Sequence, residues 1–274
     1  MEQFETLRTR SEGRILFAEI DSAPMNLLGP AMVRDMVSLI SLLDTGESYR
    51  VVVFSSANPQ FFIPHVDVTQ VQAYRSEAAR LTGEDSLGLL LRRLSTTKAV
   101  TIAQIDGRVR GAGSEFALAC DMRFASKENA IFGQPEAGTG LVPGAGGVQH
   151  LARAMGRGRA LEVLLSADDY NADLAERYGW INRALPSAEL LHFVASLARR
   201  VASFPPSVLE DIKERVNAIT LADSADFRID SDLFGAAVRT PVVMRRMQAL
   251  LARGMQTPGE LELNFGRELA NLPD

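Results

Sequence analysis

Residues 110–120 read RGAGSEFALAC, and this stretch decides the architecture of the chain. Its two glycines precede an apolar run, which is typical of a tight turn that opens a helix. The first N–H groups of such a helix have no partner within the helix, so they can hold a developing negative charge on an oxygen atom. The glycines can also serve only to permit the turn, and the pattern alone leaves both interpretations open.

A second glutamate, Glu136, follows in residues 132–136, which read FGQPE. Pro135 fixes the backbone just before it, and the glycine-rich stretch 138–147 comes after it. Together with Glu115, this residue can form the acid and base pair of one reaction. Each glutamate can equally be a surface carboxylate at the start of a helix. Their spacing does not by itself bring the two carboxylates together.

Composition narrows the class of protein. The chain has 274 residues, 46% of them hydrophobic, which is enough for one large core or two small ones. A net charge of -5 argues against a nucleic-acid surface. The lone Cys120 suits a reducing compartment, the acidic N-terminal residues are unlike a signal peptide, and no apolar run has membrane-spanning length. We therefore expect a cytoplasmic protein that binds neither nucleic acid nor membrane.

Short β-branched runs alternate with longer amphipathic stretches, a pattern typical of an α/β protein. The predicted strands are residues 14–20, 50–55, 99–106, 122–125 and 180–184. The predicted helices are residues 29–43, 68–94, 114–120, 147–155, 160–165, 172–178 and 188–203. Gly83 and Gly88 predict that the stretch 68–94 is divided into two pieces.

Glycines before a helix also occur in dinucleotide sites, but the detail does not fit. Phe116 stands where that fingerprint has its third glycine, and Gln149 holds the corresponding position after Gly144 and Gly146. Neither glycine run therefore predicts NAD binding.

These segments resemble the crotonase superfamily, also called the enoyl-CoA hydratase/isomerase family. The motifs that carry the resemblance follow the family's order over roughly residues 13–215. They are RVVVF at 50–54, IDG at 105–107, GAGSEFALACD at 111–121, FGQPE at 132–136, VPGAGG at 142–147 and YGWINR at 178–183. The resemblance implies an α/β fold with a ββα spiral core over residues 1–204. It also implies a helical C-terminal region over residues 205–274, and a homotrimer or a dimer of trimers.

The resemblance also implies the chemistry. The substrate would be an acyl-CoA thioester, whose oxygen binds the backbone N–H groups of Val66 and Ala112. Glu115 would activate water and Glu136 would deliver a proton, as in the family's hydratases. Substrate-binding positions would be Pro64, His65, Gly111 and Gly144. No metal is implied, and no cofactor apart from the coenzyme A of the substrate.

Pro64 and His65 depart from the family, which usually has small residues there. This imidazole can be catalytic, or it can shape the site and form hydrogen bonds. The departure leaves two alternatives to a hydratase: an enoyl-CoA isomerase and a non-catalytic acyl-CoA-binding member of the family. From residue 216 onward the resemblance fades. There, the spacing of Met244, Met247, Leu250 and Leu251 predicts a helix face, for which we favour core or subunit packing over contact with a substrate.

Overall fold

The computed structural model describes residues 4–45 and 49–272, and it is built on two β-sheets. In spatial order the larger sheet contains β1 (Leu7–Glu12), β2 (Ile15–Ile20), β3 (Val51–Ser56), β5 (Val100–Ile105), β7 (Met122–Ser126) and β10 (Arg183–Leu185). Strand β1 is antiparallel to β2, and the other neighbours are parallel. Residues 51–54 of β3 are all buried, as expected for a parallel strand covered on both faces.

The smaller sheet contains β4 (Phe61–Ile63), β6 (Arg108–Arg110), β8 (Ile131–Gly133) and β9 (Asp169–Asn171), in that order. The chain passes from the large sheet to the small one three times: from β3 to β4, from β5 to β6 and from β7 to β8. Because β4, β6 and β8 are parallel neighbours, their carboxyl ends lie side by side at one edge. This confirms the predicted α/β spiral and creates a place where three turns of the chain meet.

Helices cover both sheets. Those before residue 205 are α1 (Pro30–Asp44), α2 (Val71–Thr82), α3 (Leu87–Ser95), α4 (Ala112–Ala119), α5 (Glu136–Thr139), α6 (Gly147–Met155), α7 (Arg157–Ser166), α8 (Ala172–Tyr178) and α9 (Ser187–Ala202). The C-terminal helices are α10 (Pro206–Thr220), α11 (Ser224–Ala237), α12 (Pro241–Ala252), α13 (Glu260–Leu263) and α14 (Phe265–Leu269). Within the described residues, none of these helices combines the length and apolarity needed to cross a bilayer.

The main core lies between the large sheet and the helices around α4. Phe116 of α4 packs edge-on against Phe54 of β3, with ring centroids 5.0 Å apart, and also against Phe62 of β4. Helix α9 covers the opposite face of the large sheet, where Val194 packs with Val51. Phe116, which stands where a dinucleotide fingerprint has its third glycine, is thus a core residue that contacts both sheets.

Most predicted elements are present, with shifted ends. The stretch 68–94 divides into α2 and α3, and Gly83 ends α2 with a φ of 78°. The strand predicted at 180–184 is wrong at its start, because Trp180 is fully buried before β10 and donates its indole N–H to Ser114 Oγ at 3.1 Å. The short strands β4, β6, β8 and β9 have three residues each, too few for an alternating pattern. The division of the chain at residue 205 stays a prediction.

Candidate active site

Three segments converge at the carboxyl ends of β4, β6 and β8. His65 and Val66 follow β4, Gly111 and α4 follow β6, and Glu136 begins α5 after β8. All of them line one cavity of about 390 Å³, together with Ala112, Glu115 and Gly144. Pro64 is buried at the start of its loop but is not part of the cavity wall. The structure therefore brings together the two glutamates that sequence spacing leaves apart.

Gly113 explains how the first turn of α4 comes so close to the end of β4. A Cβ atom at this position would lie 1.9 Å from the backbone oxygen of Ile63, so no side chain fits there. Gly111 adopts a φ of 51°, and a Cβ atom on it would lie 3.0 Å from Glu136 Oε1. The Gly-Ala-Gly run is thus required by close approach on both sides as well as by the turn.

The amides of Val66 and Ala112 are both available to a ligand. Leu28 donates its N–H to His65 O at 3.0 Å, and its carbonyl accepts from the N–H of Asp67 at 3.0 Å. The N–H of Val66, which lies between those two residues, points away from this parallel bridge. Ala112 is the first residue of α4, so its N–H has no acceptor within the helix. Among the described residues neither amide has an acceptor, and both residues line the same cavity, so each N–H can donate to a bound ligand.

Glu115 is 2% exposed, and its Oε1 accepts hydrogen bonds from the N–H groups of Ala145 and Gly147, both at 2.8 Å. Burial raises the pKa of Glu115 to about 7, although the two backbone hydrogen bonds oppose this shift. The carboxyl group can therefore lose its proton close to neutral pH, with Oε1 held in place by the backbone.

Glu136 has a different environment. It is 8% exposed, its Oε1 accepts from Gln134 Nε2 at 3.3 Å, and its Oε2 has no hydrogen-bond partner among the described residues. Burial and the neighbouring charge of Glu115 raise the pKa of Glu136 well above its usual value. Because Glu115 receives two backbone donors and Glu136 receives one side-chain amide, the surroundings favour the ionised form more strongly at Glu115 than at Glu136.

His65 is 4% exposed, and both of its ring nitrogens face oxygen atoms. Nδ1 lies 2.8 Å from Val66 O, and Nε2 lies 3.0 Å from Glu262 Oε1. The ring also stacks on Phe265, with centroids 5.7 Å apart. Of the two roles considered for this imidazole, these contacts favour shaping and hydrogen bonding. No sequence pattern identifies Glu262, since it lies in a short segment beyond the family motifs.

The C-terminal helices provide an apolar wall for the cavity. Phe234 comes from α11, Val238 directly follows that helix, and Met244, Met247 and Leu251 come from α12. Leu250, by contrast, is fully buried in a separate cluster with Leu261 and Phe265. The packing expected for this helix face is therefore right for Leu250, whereas the other three residues line the cavity. The helical spacing of Met244, Met247 and Leu251 in the sequence indicates that they share one face of α12.

The remaining charged group on the cavity wall is Arg75, which donates Nη1 to Ser231 O at 3.3 Å and so ties α2 to α11. Among the described residues, no three His, Cys, Asp or Glu side chains converge as a metal site requires. Further titratable groups share this wall with Val66 and Ala112, among them Glu115, Glu136 and His65. The arrangement can therefore perform acid–base chemistry beside a polarised oxygen.

The chain is similar to known proteins over most of its length. A family model described as enoyl-CoA hydratase/isomerase matches residues 11–254. The chain is 29% identical over 245 residues to a short-chain-enoyl-CoA hydratase of Clostridium acetobutylicum, covering 88% of this chain and 93% of the relative. It is 32% identical over 210 residues to 2,3-dehydroadipyl-CoA hydratase of Escherichia coli, covering 77% and 80%. A crystal structure of a candidate enoyl-CoA hydratase from Streptomyces avermitilis has a TM-score of 0.98 at 51% identity, covering 100% and 99% of the two chains.

Proposed function

The chain belongs to the enoyl-CoA hydratase/isomerase family of enzymes, and from that premise we propose that it hydrates a trans-2-enoyl-CoA. The observation that carries the proposal is the pair of buried glutamates with unequal hydrogen bonding on one cavity wall. The names of the two relatives, which are both hydratases, support the same reaction.

In this proposal the substrate's thioester oxygen accepts hydrogen bonds from the N–H groups of Val66 and Ala112. These donors stabilise the negative charge that develops on the oxygen when water attacks C3 of the enoyl group. Backbone donors suit the role because they are fixed before the substrate arrives. Gly111, which keeps side-chain bulk away from this wall, and Gly144 complete the surface around the thioester, with Pro64 and His65 in the loop that carries Val66.

Glu115 acts as the base. Its Oε1 is held by two backbone amides, which leaves Oε2 for the attacking water molecule. As the water oxygen bonds to C3, its proton passes to Glu115. Glu136, still protonated, delivers its proton to C2, so the enolate collapses to the 3-hydroxyacyl thioester. This step leaves Glu115 protonated and Glu136 ionised, so one proton passes from Glu115 to Glu136 through solvent before the next turnover, and the net change is the addition of one water molecule. We expect no metal and no cofactor beyond the coenzyme A of the substrate.

The assay is the loss of enoyl-thioester absorbance from crotonyl-CoA and longer trans-2-enoyl-CoA compounds, run beside 3-enoyl-CoA in labelled water. We expect hydration with solvent oxygen in the product. Glu115→Gln and Glu136→Gln should each reduce kcat by about 100-fold or more, with thioester affinity within a few fold of the parent. Glu189→Gln, at an exposed position on α9, is the matched control and should leave kcat unchanged.

Three outcomes would contradict this proposal. Near-normal rates in both glutamine variants would remove the glutamates from the reaction. Conversion of 3-enoyl-CoA to 2-enoyl-CoA without solvent oxygen, and with no hydration, would instead indicate an isomerase. A chain that binds crotonyl-CoA but turns over neither substrate would be a non-catalytic binding protein.

A homotrimer, or a dimer of trimers, is the second part of the proposal. Helix α10 has no buried residue, although Val208, Ile212, Val216 and Ile219 form an apolar stripe along it. Its polar residues contact the core instead: Lys213 Nζ lies 2.8 Å from Asp121 Oδ2, and Asn217 donates to Ser95 O at 2.9 Å. A second copy of the chain would cover the exposed stripe.

The compartment is also a proposal, and we expect the cytoplasm. The support is Cys120, which is buried in the core, where burial raises the pKa of its thiol to about 12. A thiol of this kind is structural and needs no oxidising environment. Fractionation of the producing cells tests the assignment, and recovery outside the cytoplasmic fraction would overturn it.

A further inference from the structure

The loop at residues 64–68, which carries the Val66 amide, is held by a short segment far away in the sequence. Gln256 and Glu262, at the two ends of that segment, contact it at different points. Neither belongs to the motifs that define the family resemblance, and neither lines the cavity. Their contacts nevertheless fix the part of the backbone that the thioester oxygen would meet.

Glu262 acts on this loop through His65. Its side chain is fully buried, and Oε1 accepts from the N–H of Gln256 at 2.7 Å while facing His65 Nε2 at 3.0 Å. The other ring nitrogen lies 2.8 Å from Val66 O. A carbonyl oxygen can only accept, so Nδ1–H donates to it, and Nε2 and Glu262 Oε1 share one hydrogen on the opposite side of the ring. Burying a carboxylate without a partner costs free energy, so the buried position of Glu262 depends on its contact with His65.

Gln256 holds the following two residues of the loop. Its Oε1 accepts from the N–H of Val68 at 2.8 Å, and its Nε2 donates to Asp67 Oδ1 at 3.0 Å. Gln256 itself has a φ of 68°, a conformation that residues other than glycine rarely adopt. The contacts with the loop and with Glu262 maintain this unfavourable backbone geometry.

The same segment is tied to the other donor. Arg110, the last residue of β6, donates Nη1 to the backbone oxygen of Glu262 at 2.8 Å. Its guanidinium also forms two hydrogen bonds with Asp169, at 2.6 and 2.8 Å, and it is fully buried. Arg110 directly precedes Gly111 and Ala112. One C-terminal segment therefore connects the β4 loop, which carries the Val66 N–H, to the end of β6, which leads to the Ala112 N–H.

We infer that Glu262 is a positioning residue of the thioester site, acting through His65, and that Gln256 assists it. Together they set the loop at residues 64–68 so that the N–H groups of Val66 and Ala112 reach one oxygen atom. The inference rests on the proposed function for its rate measurement. Because such donors bind the enolate more strongly than the ground-state thioester, disturbing them should lower kcat far more than it weakens substrate binding.

The experiment compares Glu262→Ala, Glu262→Gln and the parent. Glu260→Ala is the matched control, because Glu260 stands on the same short helix with its side chain exposed. The measurements are crotonyl-CoA hydration, the Kd of butyryl-CoA, and the infrared carbonyl band of bound, carbonyl-labelled butyryl-CoA. This band moves to lower frequency when two donors polarise the thioester.

Glu262→Ala should lower kcat by about 10- to 100-fold, keep the Kd of butyryl-CoA within about 3-fold, and move the carbonyl band toward its position in free ligand. Glu262→Gln keeps an acceptor for the N–H of Gln256, so it should recover part of both effects. An unchanged band with parent-like kcat in Glu262→Ala would overturn the inference. Equal losses of kcat and affinity with an unshifted band would do so as well.

If Glu262→Ala fails to fold, Gln256→Ala and Glu262→Gln decide the question by the same carbonyl band. A parent enzyme that does not hydrate crotonyl-CoA would remove the proposed function. The band of bound butyryl-CoA would still test the positioning role, because it requires binding and no turnover. The two failures are therefore distinguishable.

Discussion

Two identical side chains are given different properties by their neighbours. Glu115 meets two backbone amides, whereas Glu136 has an oxygen with no partner among the described residues. Hydrogen bonds favour the ionised form and burial favours the neutral form, and on this difference we base the proposal that Glu115 is the base and Glu136 the acid. This difference comes from backbone geometry and could not be read from the residue types.

The rate should depend on pH through this pair. The pKa of Glu115 is raised to about 7, and the base must be ionised, so kcat/KM for crotonyl-CoA should rise as the pH increases through about 7. It should fall again at higher pH, when Glu136 loses its proton. A pH–rate profile from pH 5 to 10 tests this. A flat profile between pH 5 and 8 would contradict the assignment of Glu115 as the base.

The same groups should lower stability at alkaline pH. Because the folded pKa of Glu136 lies well above the value of 4.5 expected when it is exposed, the folded state holds a proton that the unfolded chain releases. The stability linked to that proton is present at low pH and is lost as the pH rises through the folded pKa. Glu136→Gln should therefore have a higher Tm than the parent at pH 8, with a smaller difference near pH 5.

Thermal unfolding at both pH values measures this effect, with Glu189→Gln as the exposed control. A Tm at pH 8 that is lower in Glu136→Gln than in the parent would show that Glu136 stabilises the fold. In that case, burying Glu136 would not lower the stability of the folded protein in the way that is expected of a functional carboxyl group.

At the scale of elements, the first turn of α4 determines the geometry of the site. Its position depends on Gly113, which contacts the end of β4 where no Cβ atom fits. Trp180 donates a hydrogen bond to Ser114 and so also holds this turn in place. A short helix of eight residues is thereby fixed on two sides, and the free N–H of Ala112 has a defined direction.

Gly113→Ala should destabilise the protein by about 3 kcal/mol and abolish activity, since the added methyl group would overlap Ile63 O. The matched control is Gly158→Ala in α7, where a Cβ atom meets nothing within 4 Å. That variant should be neutral or stabilised by about 0.5 to 1 kcal/mol. Urea unfolding and the crotonyl-CoA assay measure both. Parent-like stability of Gly113→Ala would show that α4 can move away from β4.

The sequence predicted elements of this kind where local signals were strong. The Gly-Ala-Gly turn and the helix after it were predicted within two residues of their observed start, because glycines and an apolar run mark them clearly. The strands β4, β6 and β8 were not predicted, although the site is built at their ends, since three residues do not define a period. Glu262 could not be identified either, because its importance comes from a contact with His65 across 197 positions.

At the scale of the whole molecule, the C-terminal helices have two functions in the proposal. Helix α12 gives the cavity its apolar wall, and α10 presents an apolar stripe outward. The stripe is unusual for a helix at the protein surface, where polar residues normally face solvent. An assembly that covers α10 would therefore stabilise the region that completes the cavity.

Ile212→Glu should disrupt this assembly, because Ile212 lies within the stripe and is 57% exposed in the single chain. Light scattering should detect a shift from trimer or hexamer toward monomer, whereas Ile212→Val should keep the parent mass. The far-ultraviolet circular dichroism of both variants should match the parent. An unchanged mass for Ile212→Glu would mean that α10 lies outside the subunit interface.

The two free amides on the cavity wall have a consequence for the design of variants. In the proposed mechanism the donors belong to the backbone, so any residue other than proline at positions 66 and 112 keeps the N–H group. Val66 and Ala112 both line the cavity, and their side chains can be varied in a library while the donors are retained. Selection at these two sites can alter which acyl groups fit, whereas changes at the nearby glycines would alter the backbone itself. The glycines are therefore the positions to hold constant.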